Sequence, residues 1–189
     1  MKQDLMKGVI DMHVHTNPDL RLRAYDDFEL MEAAIRVGAR AIVIKTHQGT
    51  TMDRAYLCNR HNEIVHGKTN NFTMFGSITL NKVVGGINPK AVDVALRLVK
   101  DYDVILERCY AQNMGGGKYK SNLADNLELI KEVGYKNVMV DTDGGQTENP
   151  HWELALAEYM QYLVDHGISE EHVYHMTHTI PAKLLGIEE

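Results

Sequence analysis

Asp11-Met12-His13-Val14-His15 directly follows the apolar run Gly8-Val9-Ile10, so a first strand ends in two imidazoles and a carboxylate. Strand side chains alternate between faces, which places Asp11, His13 and His15 on one side of the sheet. Two neutral imidazoles on one face can chelate one divalent ion. In a strand-first α/β chain they sit at the carboxyl end of the sheet, where such folds build their sites. Short motifs of this kind also arise by chance, so the other strand ends decide the reading.

Those ends carry polar residues that a purely structural strand does not need. Lys45 and His47 share a face of the second predicted strand, Glu107 and Cys109 of the fourth, and Asp141 and Asp143 of the fifth. Each pair has an ordinary explanation: Glu107 and Lys45 as an internal ion pair, Asp143 as a turn cap before Gly144-Gly145, His47 as loop surface. Together they are harder to explain that way, because buried charges at neighbouring strand ends are costly without a counter-ion. A divalent metal supplies one. The nitrogen and oxygen donors suit Zn²⁺, and Mn²⁺ or Fe²⁺ also fit. The chemistry expected is activation of a bound water, with Asp143 as general base or ligand and Lys45 orienting or polarising the substrate.

The elements that would position these groups alternate along the chain. Strands are predicted at Val9–His15, Ala41–His47, Phe72–Leu80, Val104–Tyr110 and Asn137–Asp143. A helix capped by Asp26 or Asp27 and closed by Gly38 follows the first strand, and one capped by Thr50 or Thr51 follows the second. A loop at Asn81–Asn88 leads to a helix entered at Pro89 and reaching about Tyr102. Further helices are predicted from Asn122 to Val133, Pro150 to His166 and Glu170 to Leu185. Ala111–Lys118 is glycine-rich and is read as a flexible connection, either a lid beside the pocket or a plain linker. Repeated strand–helix units imply a parallel sheet, and five strands are too few for a closed eight-stranded barrel.

At 189 residues the chain fits a single domain. The net charge of -6 argues against nucleic acid or an anionic membrane as partner. The N-terminus has no apolar run typical of a signal peptide, and Cys58 and Cys109 lie far apart on separate predicted elements, so a cytoplasmic protein is expected.

Ile10-Asp11-Met12-His13-Val14-His15 with Asn17-Pro18-Asp19, Ile44-Lys45-Thr46-His47, Leu80–Pro89, Glu107-Arg108-Cys109, Asp141–Gln146 with Asn149-Pro150, and Pro181–Gly186 together resemble a family of uncharacterised amidohydrolase-related proteins of the metal-dependent hydrolase (amidohydrolase) superfamily. The resemblance implies a distorted (β/α) TIM-barrel-like fold and hydrolysis of C–N or ester bonds of a small molecule. It makes His13 and His15 first-strand ligands, Asp143 the last-strand aspartate that binds metal and shuttles protons, and Glu107 a further ligand or a supporting carboxylate. Full-length relatives carry additional strand–helix units whose strands end in two more histidines, whereas this chain runs directly from Tyr102 to Val104. Three outcomes remain open: His47 and Glu107 complete a reduced site, a partner subunit contributes, or metal binding has weakened. A shortened barrel also leaves edges that a homo-oligomer would bury.

Two other functions fit the same pattern: a phosphoesterase of the histidinol-phosphatase type, and a relative that binds a small molecule without turnover. Gly115-Gly116-Gly117-Lys118 lacks the Ser or Thr and the spacing of a phosphate loop. His151 is placed near the pocket, as a support or substrate contact. His172, His175 and His178 are read as a solvated helix face.

Overall fold

The computed structural model describes residues 3–79, 106–115 and 117–187. The loop predicted at Asn81–Asn88, the helix from Pro89 and the start of the fourth predicted strand lie outside the described residues. Among the described residues, a short 3-10 turn precedes β1 (Ile10–His15), α1 (Asp27–Val37), β2 (Ala41–Lys45), α2 (Met52–His66) and β3 (Thr73–Gly76). Then come β4 (Leu106–Cys109), β5 (Ala111–Gly115), β6 (Lys118–Ser121), α3 (Leu123–Val133), β7 (Val138–Asp141) and α4 (Trp152–Asp165). The chain closes with α5 (Glu170–Tyr174), a π-helical turn (His175–Thr179) and α6 (Ile180–Leu185). None of these helices is long and apolar enough to cross a membrane.

The local rules of the sequence hold well at α1. Asp26 caps it by accepting the Glu29 N–H while the Glu29 side chain returns to the Asp26 N–H, and Gly38 ends it in the left-handed region. Leu30, Met31, Ala33 and Ala34 form its buried face. At α2, Thr50 accepts the Met52 N–H, while the Thr51 hydroxyl donates to the Ile44 carbonyl at 2.6 Å and accepts the Ser77 N–H. Thr51 therefore ties the end of β2 to the residues after β3.

β1, β2 and β3 form a parallel sheet in that order, and β4 pairs with β7, also parallel. The two groups meet where Gly144, just beyond β7, bridges Val14, and the His15 N–H donates to the Gly144 carbonyl at 2.8 Å. The fold is thus mixed α/β with parallel strands in the succession β3, β2, β1, β7, β4, and the described strands do not close into a barrel. Ala41, Ile42, Val43 and Ile44 are all buried, as expected for a strand covered on both faces. The core continues through α4, where Trp152, Leu156, Tyr159, Met160 and Leu163 are completely or almost completely buried.

Three sequence expectations change here. Ala111–Lys118, expected as an irregular connection, instead carries β5 and the start of β6, which form an antiparallel hairpin in which Ala111 faces Ser121 and Asn113 faces Tyr119, with Gly117 at φ 73° between the strands. Gly117 serves the turn, while Gly115 ends β5. The last predicted helix is interrupted by the π-helical turn, which buries His178 against the N-terminus. His178 Nε2 lies 3.0 Å from the Lys7 carbonyl, and His172 stacks on Tyr135 with centroids 3.6 Å apart. His178 fastens this end of the chain to the N-terminal segment and His172 packs on Tyr135 ahead of β7, so they are not a solvated row.

Asp11 is the third. The β1–β2 register shifts between Asp11 and Val14, so simple alternation does not carry Asp11 into the pocket with the histidines. Its carboxylate is fully buried and accepts the N–H groups of His13 (3.0 Å) and Thr142 (3.4 Å), the Thr142 hydroxyl (2.7 Å) and the Trp152 indole N–H (2.8 Å). One side chain thereby joins β1, the end of β7 and α4. Asp11→Ala leaves those donors unsatisfied and is expected to cost about 2–4 kcal/mol by denaturant unfolding, with Asp11→Asn costing less because one acceptor remains. An Ala variant as stable as the wild type would refute this clamp.

Candidate metal centre

The ends of β1, β2, β4 and β7 lie at one edge, with His15 paired to Lys45 and Cys109 to Asp141. His13 and His15 emerge there beside Asp143, which follows β7 and has φ 47°. That left-handed backbone is tolerated by aspartate better than by bulkier residues, and it turns the Asp143 carboxylate toward the imidazoles. His13 Nε2 and His15 Nε2 lie 3.3 and 3.2 Å from the same Asp143 Oδ1. The three side chains have donor atoms close enough to hold one ion. Gln146 donates to Asp143 at 3.3 Å and is itself held by Asn149 at 3.0 Å.

The other nitrogen of His13 faces β4. His13 Nδ1 is 2.7 Å from Glu107 Oε1, and His13, Glu107, Cys109 and Asp141 form a second group of converging donors. Lys45 Nζ lies 3.0 Å from His13 Nε2. The His47 ring sits 4.9 Å from that of His15. It follows β2 rather than belonging to it, and falls in neither group of converging donors.

A buried polar layer fixes His15. Arg23 Nη2 is 3.2 Å and Asp19 Oδ2 3.5 Å from His15 Nδ1, and Arg23 Nε donates to Asp19 at 2.7 Å. Asn17 holds Arg23 through a pair of hydrogen bonds, from its Nδ2 to the Arg23 carbonyl and from the Arg23 N–H to its Oδ1. Arg54 in turn donates to the carbonyls of Thr16, Asn17 and Pro18 and to Asp27. The loop after β1 is therefore built around His15. Sequence reasoning missed Asp19 and Arg23; their i, i+4 spacing just past the histidine pair was the available signal.

The electrostatics divide the carboxylates. Burial disfavours the charged form of Asp143, but the hydrogen bond to His15 and the charges of His13, His15 and Lys45 outweigh it and hold the carboxyl below its ordinary range. The hydrogen bond to His13 does the same for Glu107. Asp141 is driven the other way by burial and by the charges of Glu107 and Asp11, and the Cys109 thiol is pushed up by burial, Asp141 and Glu107. Burial also lowers His15 and His47.

A cavity of about 600 Å³ opens over this edge, lined among others by His15, Lys45, His47, Glu107, Cys109 and Asp143. Six of the residues expected at the site, namely His13, His15, Lys45, His47, Glu107 and Asp143, thus come together at this edge. Asp141 and Asp143 do not share a face as expected, because β7 ends at Asp141 and the chain turns at Asp143. His151 does not reach the cavity. It lies 2.5 Å from the Tyr25 hydroxyl at the start of α4.

A family model described as a family of unknown function (DUF6282) matches residues 8–106. The match takes in β1 to β3, with His13, His15, Lys45 and His47, and stops just short of Glu107. No curated protein matches the chain. With just over half of its length covered by that match, the chain belongs to the DUF6282 family, whose function is unknown.

Proposed function

We propose that this protein is a metal-dependent hydrolase of the amidohydrolase type, built on a distorted (β/α)-barrel-like fold and cleaving a C–N or ester bond of a small molecule. The observation that carries the reading is the convergence of His13 Nε2 and His15 Nε2 on one Asp143 oxygen, at 3.3 and 3.2 Å, beside a cavity large enough for a metabolite. The donor set fits a borderline cation such as Zn²⁺, with Mn²⁺ or Fe²⁺ as substitutes. His13, His15 and Asp143 would hold it, with Glu107 and His47 alongside. Such an ion supplies Lewis-acid activation of water near neutral pH.

The protein's own groups do the remaining work. Arg23 only donates, so its contact makes His15 Nδ1 the acceptor and leaves the proton on Nε2, directed at Asp143. Ligation through Nε2 needs the opposite tautomer, and the Asp19 carboxylate is in place to accept the Nδ1 proton. Asp143, ionised at neutral pH, is positioned to take a proton from the attacking water and return it to the leaving group. Lys45 lines the cavity, where its ammonium can hold a substrate oxygen as negative charge develops.

One further observation favours a second reading. Arg21, Arg23, Lys45 and Arg108 also line the cavity, and a cationic wall suits a phosphate ester. Metal analysis of freshly purified protein, followed by assays on amide, ester and phosphate-ester panels, tests both. Transition metal is expected in near-stoichiometric amount, with turnover in one panel. Less than about a tenth of an equivalent, unchanged by added Zn²⁺ or Mn²⁺, sinks the metal-dependent reading.

A further inference from the structure

We propose a second divalent-cation site on the other side of the His13 ring, formed by Glu107, Cys109 and Asp141 with His13 Nδ1. These four residues each offer a ligand atom, all within 4.8 Å of one another. The placement follows from the strands: Glu107 and Cys109 share a face of β4, and Asp141 is the register partner of Cys109 on β7. The site shares His13 with the proposed hydrolytic centre but does not require that reading.

Asp141 supplies the independent sign of a missing partner. It is 0% exposed, and neither carboxylate oxygen meets hydrogen-bond geometry with a donor among the described residues; the polar groups close to it are Glu107 and the Cys109 thiol, the other members of the cluster. Buried polar atoms are nearly always satisfied, and an unsatisfied carboxylate beside a second carboxylate is costly. Asp11, equally buried in the same layer, shows the contrast, with four donors directed at it. A cation between Asp141, Glu107 and Cys109 would answer both the lost hydration and the crowding of like charges. Glu107 and Cys109 line the cavity, which gives an ion a route in.

The donor set indicates the class of ion. One thiolate, one imidazole and two carboxylates suit Zn²⁺ and its spectroscopic substitute Co²⁺, while Mg²⁺ and Ca²⁺ prefer oxygen alone. His13 presents Nδ1 to this site and Nε2 to the other. Filling both strips the ring of its proton, so the last ion is expected to bind with proton release.

Titration of metal-free protein with Co²⁺ tests this, read by thiolate-to-cobalt absorption in the near ultraviolet and by equilibrium dialysis. The wild type is expected to take up two ions per chain and to develop the thiolate band. Cys109→Ser is expected to lose the band and one ion, and Asp141→Asn to weaken the band-forming ion by at least about tenfold. His15→Ala is expected to keep the band while losing the other ion. If Cys109→Ser does not fold, alkylation of the wild type answers instead, with Zn²⁺ slowing modification of Cys109 at least about tenfold. No thiolate band at saturating Co²⁺, an undiminished band in Cys109→Ser, loss of the band in His15→Ala, or no protection of Cys109 would each overturn the site. Absence of hydrolysis by the loaded wild type would count against the proposed function alone, since band and stoichiometry do not depend on turnover.

Discussion

If the proposed hydrolytic role holds, Asp143→Asn is expected to remove at least about two orders of magnitude of turnover at saturating metal, because it deletes the carboxylate proposed to move the proton. The geometry makes this residue unlike the other acids at the site. A single oxygen lies 3.3 Å from His13 Nε2 and 3.2 Å from His15 Nε2, and the hydrogen bond to His15 with the surrounding positive charges holds the carboxyl below its ordinary range. Asparagine is the informative substitution because, like aspartate, it tolerates the left-handed backbone at φ 47°. Alanine would add backbone strain to the loss of the carboxylate. The measurement is turnover on the substrate class that the wild type cleaves, together with bound metal and thermal stability. An Asn variant with bound metal, a near-wild-type melting temperature and no turnover fits a proton-transfer role. Full activity in that variant would remove Asp143 from the reaction and leave it as a hydrogen-bond partner of His15.

The particular residues show which parts of this arrangement a sequence can disclose. His13, His15 and Lys45 were legible because each depends on a local rule: an apolar strand, a parallel sheet, and functional groups at its carboxyl edge. The capping box at Asp26 and Glu29 is likewise encoded within four residues. Alternation failed where strands stop behaving as strands. Asp11 lies before a register shift and answers to Trp152, 141 residues away in the chain. Asp143 lies past the end of β7, so it parts from Asp141, which stays in the layer beneath.

Long-range pairing was the other obstacle. A parallel sheet already brings Glu107, Cys109, Asp141 and His13 to one edge, but how closely their donor atoms approach rests on the β4–β7 register, which pairs Cys109 with Asp141. Asp19 and Arg23 became part of the site only when the loop after β1 folded back on His15. The β5–β6 hairpin was hidden because glycine marks turns and linkers alike, and Ala111 finds Ser121 only across the turn.

The same edge depends on a contact that no polar residue makes. Gly145→Ala is expected to destabilise the protein by more than about 4 kcal/mol or to prevent folding, a larger effect than the loss of any single hydrogen bond in the site. Gly145 has φ 97°, a conformation that costs an L-residue strain wherever it occurs. An added Cβ would also overlap the carbonyl oxygen of His15 and lie 2.8 Å from its carbonyl carbon. The neighbouring backbone cannot easily yield, since the His15 N–H donates to Gly144 at 2.8 Å and the Ala24 N–H to Gly145 at 2.7 Å. These bonds bring the end of β1 and the loop that carries Asp19 and Arg23 against the turn that carries Asp143. Relief of the overlap must therefore separate His15 from Asp143, so any folded Gly145→Ala protein is expected to lose the proposed metal site as well as stability. Denaturant unfolding and metal content of the purified variant check the two effects together. A variant that keeps wild-type stability and metal would show that β1 and the Asp143 turn need not touch, and the close approach would then have no part in holding the site together.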